Sequence, residues 1–193
     1  MSSLVSAALT KASIEAHRYG LRLRQPAATD EADLARKLAT AENFLFVCHG
    51  NICRSPLAER YMAASLDGDL TNDLSVASAG VETRAGRQSP ETAISVAAEY
   101  GVDLDDHRSQ PLTPELIEWS DVLFIKDVSN YRLLRRNYDE WEEKTYFLGT
   151  VTDGGSFEIL DPYGRDRDGF RYLYGEVVKA VDDLNALLVE QRE

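Results

Sequence analysis

One uninterrupted stretch decides the fold, and it reads Phe44-Leu45-Phe46-Val47-Cys48-His49-Gly50-Asn51-Ile52-Cys53-Arg54-Ser55-Pro56. The aromatic and β-branched run at 44–47 predicts a short buried strand. Apolar residues recur at helical spacing over 56–66, which predicts a helix. Cys48 and Arg54 therefore lie in a loop at the carboxyl end of a strand, where α/β proteins bind ligands.

The residues of this loop have the chemistry of an anion site. Between a strand and a helix, successive backbone N–H groups can turn inward and surround an anion. Gly50 and Asn51 tolerate the positive φ that such a tight loop needs. Arg54 can hold two phosphate oxygens with its planar fork, and Ser55 can donate a hydrogen bond to a Cys48 thiolate. We therefore predict a phosphate site with Cys48 as nucleophile, whose phosphate-binding residues are His49, Gly50, Asn51, Ile52, Cys53, Arg54 and Ser55.

Strands and helices alternate through the rest of the chain. Short apolar runs predict strands at 74–79, 121–126 and 145–148. Helical spacing predicts helices at 89–100, from Thr113 onward, at 131–138 and at 170–188, with a glycine-containing loop at 150–160. This alternation predicts an α/β fold of three layers, with a central four-stranded parallel sheet flanked by helices.

The first forty or so residues differ from this pattern. A loose helical spacing runs from Ser2 to Tyr19, and a second helix is predicted to start near Thr29 or Asp30. We expect a helical N-terminal extension over 1–41 and one domain over 42–193. The extension shows no chemistry of its own, and it is where a second copy of the chain, another protein or a membrane surface could dock.

Composition limits the class of partner. The 33 acidic and 21 basic residues give a net charge of −12, which argues against nucleic acid because phosphate backbones require clustered Lys and Arg. The two cysteines, Cys48 and Cys53, form no disulfide framework, so we expect a cytoplasmic protein. No apolar run approaches the ~18 residues of a spanning helix, and the N-terminus lacks the cationic start of a signal peptide.

The segment from Cys48 to Pro56 resembles the phosphate loop of the low-molecular-weight protein tyrosine phosphatases. Further matches follow in order, and they are Ser78-Ala79-Gly80, Asp106-His107-Arg108 and Asp161-Pro162-Tyr163-Gly164. The resemblance covers about 43–188 and leaves out the N-terminal extension. It implies a phosphatase that needs no metal or cofactor and acts on phosphotyrosine-containing proteins through a phosphocysteine on Cys48.

The resemblance also assigns roles outside the loop. Asp161 matches the acid of the family, which protonates the leaving oxygen and then activates water. Tyr163 matches an aromatic residue that walls the pocket. His107 matches a histidine that lies behind the phosphate loop and helps to hold Asn51.

Two departures from the family pattern thin the aromatic wall of the pocket. Gly164 stands where eukaryotic members often carry an aromatic residue, and the loop at 81–86 has no Trp or Tyr. Both indicate the bacterial or archaeal branch and leave the selectivity for an aryl ring open. Cys53 matches a second loop cysteine, which either captures an oxidised Cys48 as a disulfide or is a small apolar filler.

Three other functions compete with this interpretation. Arsenate reductases of the same fold pass oxidation to cysteines well downstream, and no cysteine follows Cys53. Protein-arginine phosphatases of the family tend to carry Thr where Ile52 stands, so Ile52 favours phosphotyrosine. A non-catalytic phosphate-binding regulator is disfavoured because Cys48, Arg54 and Asp161 are all present.

Overall fold

The computed structural model describes residues 31–66 and 73–192, and helices and strands alternate through them. The helices are α1 (Glu31–Leu38), α2 (Arg54–Ser65), α3 (Glu91–Ala97), α4 (Pro114–Trp119), α5 (Val128–Asn137) and α6 (Arg167–Arg192). The strands are β1 (Asn43–Cys48), β2 (Ser75–Gly80), β3 (Val122–Ile125) and β4 (Thr145–Phe147). The helix predicted over Ser2–Tyr19 lies outside the described residues, so the division at 41/42 and the docking role of the extension stay predictions.

The four strands form one parallel sheet in the order β2-β1-β3-β4. β1 is central, and its Phe46 pairs with Ser78 of β2 on one side and with Phe124 of β3 on the other. The chain leaves β1 toward one edge of the sheet and later returns to the other, so the carboxyl end of β1 lies where the strand order reverses. The predicted parallel α/β fold is confirmed, and the loop after Cys48 begins at this switch point.

Helices cover both faces of the sheet. Side chains alternate along β1, so Phe44 and Phe46 join a core cluster with α1, α2, α3 and α6. Leu45 and Val47 face the opposite cluster, to which α4 and α5 contribute. α1 belongs to the first cluster through Leu38, which is fully buried. The result is the predicted three layers, with β1 buried on both faces.

Three helices begin earlier than the sequence predicts. α2 starts at Arg54 rather than at Pro56, because the N–H groups of a first helical turn have no intrahelical partner and a proline is tolerated there. α5 starts before the predicted 131, because the Asp127 side chain accepts a hydrogen bond of 2.9 Å from its first turn. α6 starts before the predicted 170, and Asp166 caps it in the same way.

Candidate active site

The loop between β1 and α2 surrounds the sulfur of Cys48. Cys48 Sγ lies 3.0 Å from Ser55 Oγ and accepts a hydrogen bond of 3.3 Å from the backbone N–H of Asn51. All three residues are buried. A serine hydroxyl and a backbone amide aimed at one sulfur are the donors that a nucleophilic thiolate requires.

Asn51 organises the loop through its side-chain amide. Its Nδ2 donates to Ser55 Oγ at 3.0 Å and to Ser78 Oγ at 2.8 Å. Ser78 Oγ in turn donates to Glu59 Oε2 at 2.5 Å. Both amide hydrogens go to hydroxyl oxygens, so Asn51 holds Ser55 Oγ in place, 3.0 Å from Cys48 Sγ. The network therefore positions the Ser55 hydroxyl group for a hydrogen bond with the sulfur.

The backbone of Asn51 is held as tightly as its side chain. Its φ of 51° lies in the left-handed region, which Asn tolerates better than most residues. Its Oδ1 accepts from the backbone N–H of Gln110 at 2.9 Å, and its carbonyl oxygen lies 2.7 Å from His107 Nε2. Burial lowers the pKa of His107 below its ordinary value of 6.5, so the neutral ring donates its Nε2 hydrogen to this carbonyl. His107 thus lies behind the loop, where the resemblance places it.

Gly80 lets the end of β2 pack directly against the phosphate loop. A Cβ on Gly80 would lie 3.0 Å from the carbonyl carbon of Gly50 and 3.1 Å from the backbone nitrogen of Asn51. Backbone atoms cannot yield to such a contact, so a larger residue at position 80 would displace the loop. The glycine is therefore required by the close approach of two backbone segments.

Arg54 is clamped along one edge of its guanidinium group. Nη1 donates to Asp127 Oδ2 at 2.5 Å and to the Ile159 carbonyl oxygen at 2.9 Å, while Nη2 donates to Asp161 Oδ2 at 2.6 Å. The side chain is 1% exposed, and its Nε has no hydrogen-bond partner among the described residues. Burial opposes the charge, but Asp127 and Asp161 hold the pKa of Arg54 above its ordinary value. Two phosphate oxygens can bind the edge formed by Nε and Nη2, where Asp161 already holds Nη2.

Asp161 and Tyr163 stand at the mouth of the site. The Asp161 side chain is 43% exposed, and its Oδ1 accepts a hydrogen bond of 3.0 Å from the backbone N–H of Tyr163. Tyr163 is 62% exposed. Gly164 follows with a φ of 80°, so it turns the chain away after the tyrosine. This loop therefore presents a carboxylate and an aromatic ring above the buried thiol.

A cavity of about 240 Å³ joins these groups. Tyr163 contributes the phenol ring to its wall, and Arg87 contributes a cation that the sequence analysis did not single out. Arg87 Nη1 makes a long contact of 3.5 Å with Thr83 Oγ1, and it lies 3.3 Å from where a Cβ on Gly50 would stand. The described residues that line the cavity are Cys48, His49, Gly50, Ile52, Cys53, Arg54, Arg87, Asp161 and Tyr163.

Two functional candidates were therefore missed by sequence reasoning, namely Asp127 and Arg87. Asp127 lies two residues beyond the end of β3, so the rule that ligands bind beyond the carboxyl ends of strands could have identified it. Arg87 lies far along the loop that follows β2, and no local pattern distinguishes it from other surface arginines. Its position in the cavity emerges only from the fold.

Cys53 lies in the loop beside the nucleophile, and both cysteines are free thiols. Burial raises the pKa of Cys53 far above its ordinary value of 9.0, and the nearby charge of Cys48 raises it further. Cys53 is therefore a protonated thiol at neutral pH. Its role as a redox partner of Cys48, or as an apolar filler, stays a prediction.

Within residues 31–66 and 73–192, no cluster of three or more His, Cys, Asp or Glu side chains could hold a metal ion. None of the helices in these ranges has the length and apolar character needed to cross a bilayer.

Comparison with known proteins gives a consistent result. The family model for low molecular weight phosphotyrosine protein phosphatase matches residues 43–193. The probable low molecular weight protein-tyrosine-phosphatase AmsI of Erwinia amylovora is 37% identical over 146 residues, which cover 75% of this chain and 96% of AmsI.

Two solved structures share the fold over a similar range. The E. amylovora tyrosine phosphatase AmsI matches with a TM-score of 0.68 at 36% identity, over 76% of this chain and 93% of AmsI. The YwlE arginine phosphatase from Geobacillus stearothermophilus matches with a TM-score of 0.69 at 28% identity, over 77% of this chain and 94% of YwlE. Because the matched region contains the whole sheet, the phosphate loop and the loop that carries Asp161, the chain belongs to the low molecular weight phosphotyrosine protein phosphatase family.

Proposed function

We propose that this chain hydrolyses phosphotyrosine in protein substrates through a phosphocysteine on Cys48. The observation that carries the proposal is the convergence of three groups on one cavity: the Cys48 sulfur, the open edge of Arg54 and the Asp161 carboxylate. A nucleophile, an anion clamp and an acid are the parts that phosphoryl transfer to a thiolate requires.

In the first step the Cys48 thiolate attacks phosphorus, and the bond between phosphorus and the tyrosine oxygen breaks. The loop amides and the Nε–Nη2 edge of Arg54 stabilise the equatorial oxygens. Phosphate competes with Asp161 for Nη2 of Arg54, since the carboxylate holds that nitrogen at 2.6 Å. Once displaced, the Asp161 carboxylate takes up a proton from solvent at the mouth of the site and gives it to the leaving phenolate oxygen.

In the second step Asp161, now a carboxylate, takes a proton from water. The resulting hydroxide attacks phosphorus, the S–P bond breaks, and inorganic phosphate leaves. Ser55 donates its hydrogen bond to the departing thiolate, because a thiolate can only accept and Ser55 Oγ lies 3.0 Å from the sulfur. The same carboxyl group therefore serves as acid and then as base.

The shape of the cavity favours an aryl phosphate over a phosphorylated guanidinium. The Tyr163 ring stands at the mouth, where it can stack on a phenyl ring. Ile52 is 6% exposed and presents a hydrocarbon surface with no hydroxyl group beside the thiol. Arg87 adds a positive charge that would oppose a cationic guanidinium substrate and attract acidic residues near a phosphotyrosine.

We place the protein in the cytoplasm, where thiols are kept reduced. Cys48 must be a free thiol to act as nucleophile, and oxidising compartments convert such thiols to disulfides.

Turnover of three peptides tests the proposal, each with the same flanking sequence and a phosphotyrosine, phosphoarginine or phosphoserine. We expect hydrolysis of the phosphotyrosine peptide, with none by the Cys48→Ser variant, which retains phosphate binding because the loop amides and Arg54 remain. Trapping with acid should yield a phosphocysteine on Cys48. Robust turnover of phosphoarginine with none of phosphotyrosine would refute the substrate assignment while leaving the chemistry intact.

A further inference from the structure

A buried lysine lies behind the phosphate loop, and the reaction described above does not use it. Lys126 directly follows β3 and is 0% exposed. Its Nζ has no hydrogen-bond partner among the described residues and lies 4.5 Å above the centre of the Phe46 ring. An amine without a hydrogen-bond partner is costly to bury, so its retention calls for a compensating charge.

The charged groups around Lys126 come from each element near it. Cys48 at the end of β1 and the adjacent Asp127 favour the ammonium form, while Arg54 on α2 opposes it. The helix α6 contributes Tyr174 to the apolar cluster that contains Phe46. Burial raises the pKa of Tyr174 well above its ordinary value, so this hydroxyl is neutral.

Burial has the largest effect on Lys126, and it lowers the pKa of the amine well below 10.5. The thiolate of Cys48 and the carboxylate of Asp127 act in the opposite direction. These two anions therefore favour the ammonium form of Lys126. By linkage, a group that gains a proton when an anion is present must in turn stabilise that anion.

Arg54 alone does not balance the anions of this site. Its guanidinium already pairs with Asp127 at 2.5 Å and with Asp161 at 2.6 Å. A Cys48 thiolate and a phosphate dianion add further negative charge in a region where burial weakens screening by water. A second cation behind the loop would offset this excess.

We propose that Lys126 is a positioning residue for the reaction, whose ammonium group behind the phosphate loop stabilises the Cys48 thiolate and the bound phosphate. The proposal rests on the proposed function only in requiring Cys48 to be the nucleophile. It needs no direct contact with the substrate. A lysine that merely fills space would instead be a neutral amine with no influence on the charge of Cys48.

The test is the pH dependence of Cys48 alkylation by iodoacetamide in the Lys126→Met variant. Methionine keeps a long flexible side chain over Phe46 and removes the charge. We expect the midpoint of alkylation to rise by about one pH unit, the lower end of the effect of a neighbouring opposite charge. Inhibition by inorganic phosphate should weaken about tenfold. Peptide mapping assigns the reacted residue, and Cys53 remains a thiol in this pH range.

Lys144→Met is the matched control. Lys144 Nζ donates to the carbonyl oxygens of Ile117 at 2.6 Å and Ser120 at 2.7 Å, away from the phosphate loop. Its removal can lower stability, but the alkylation midpoint of Cys48 should not move. A Lys126→Met midpoint equal to that of the wild type would overturn the proposal, whatever the change in turnover.

A measurement on the wild-type protein keeps the proposal testable if the variant does not fold. The side chain of Lys126 can be followed by NMR with carbon-13 at Cε while sulfate, a dianion that does not titrate near neutral pH, is added. We expect the signal to move to the position of an ammonium group. A signal that stays at the neutral-amine position in saturating sulfate would refute the assignment. Neither measurement uses a phosphotyrosine substrate, so an error in the substrate class would leave both results unchanged.

Discussion

Asp127→Asn is the most informative change outside the phosphate loop. Asp127 Oδ2 accepts from Arg54 Nη1 at 2.5 Å, and Oδ1 accepts from the backbone N–H of Asn130 at 2.9 Å, which caps α5. Asparagine has the same size but only one acceptor oxygen, because its amide nitrogen donates. The substitution therefore removes the negative charge beside Arg54, and it weakens the cap on α5 when the single oxygen faces Arg54.

The expected loss of free energy, and of kcat/KM, follows from the burial of the ion pair between Arg54 and Asp127. The Arg54 side chain is 1% exposed and that of Asp127 is 10% exposed, so water replaces the lost charge poorly. Removing one partner of a buried pair costs about 3–5 kcal/mol, but the single asparagine oxygen can still accept from Arg54 Nη1 when the amide nitrogen faces Asn130. The loss is then that of a charge-assisted bond, about 2 kcal/mol. If the transition state loses the same amount, kcat/KM falls about 30-fold.

Two assays separate these effects. Urea unfolding measures the free energy of unfolding. The effect of Asp127 on Arg54 is measured by kcat/KM on a phosphotyrosine peptide and by the inhibition constant of phosphate. Asp121→Asn serves as control because Asp121 Oδ2 accepts from the backbone N–H groups of Glu42 at 2.9 Å and Asn43 at 2.8 Å, at the opposite end of the sheet. It should lose stability and keep kcat/KM. A folded Asp127→Asn protein with wild-type kcat/KM and phosphate inhibition would refute the role of Asp127 in holding Arg54.

Three further predictions follow from the site. Asp161→Asn should lower kcat at least about 100-fold for phenyl phosphates with poor leaving groups and far less for good ones, since only the former need a proton; a series of substituted phenyl phosphates measures this. Arg87→Gln should raise KM about fivefold for a phosphotyrosine peptide with acidic flanks and leave KM for a neutral peptide unchanged. The pKa of His107 is lowered in the folded state relative to 6.5, so below 6.5 the unfolded chain binds more protons and stability is lost as the pH falls. His107→Gln should flatten this dependence in urea unfolding at about pH 5 and about pH 7.

Specific outcomes would contradict each of these. An Asp161→Asn variant with the same loss for all leaving groups would indicate a role in positioning. Equal effects of Arg87→Gln on both peptides would remove the preference for acidic flanks. If the free energy of unfolding of the wild type stayed constant as the pH was lowered below 6.5, His107 would bind its proton equally in the folded and unfolded states.

The phosphate loop could be predicted because its parts are adjacent in sequence. A buried strand, a glycine and an asparagine that permit positive φ, and an arginine at the start of a helix are all local signals. The alternation of strands and helices likewise determines a parallel sheet, since parallel strands need crossover connections. Asp161 was identified only through resemblance, because an Asp-Pro pair is otherwise an ordinary turn.

The remaining groups depend on distant segments. Asp127 pairs with Arg54 across 73 positions, and no local pattern signals that contact. Lys126 follows the apolar residues of β3, where a lysine suggests a strand end that reaches solvent. Its burial depends on the helices that cover the sheet. Arg87 is similar, because it enters the cavity only when the loop after β2 packs beside the phosphate loop.

The clamp on Arg54 also has a consequence for biosynthesis. The two carboxylates that hold the guanidinium group are far apart in sequence, because Asp127 precedes β4 and Asp161 follows it. Asp161 is 107 positions beyond Arg54. At about 5–20 residues per second, a ribosome needs roughly 5–20 s to travel that distance. Cys48 therefore leaves the exit tunnel well before Asp161 can reach Arg54. During translation the nascent chain carries the Cys48 thiol in an incomplete site, and the site is complete only after the segment that contains Asp161 has been made.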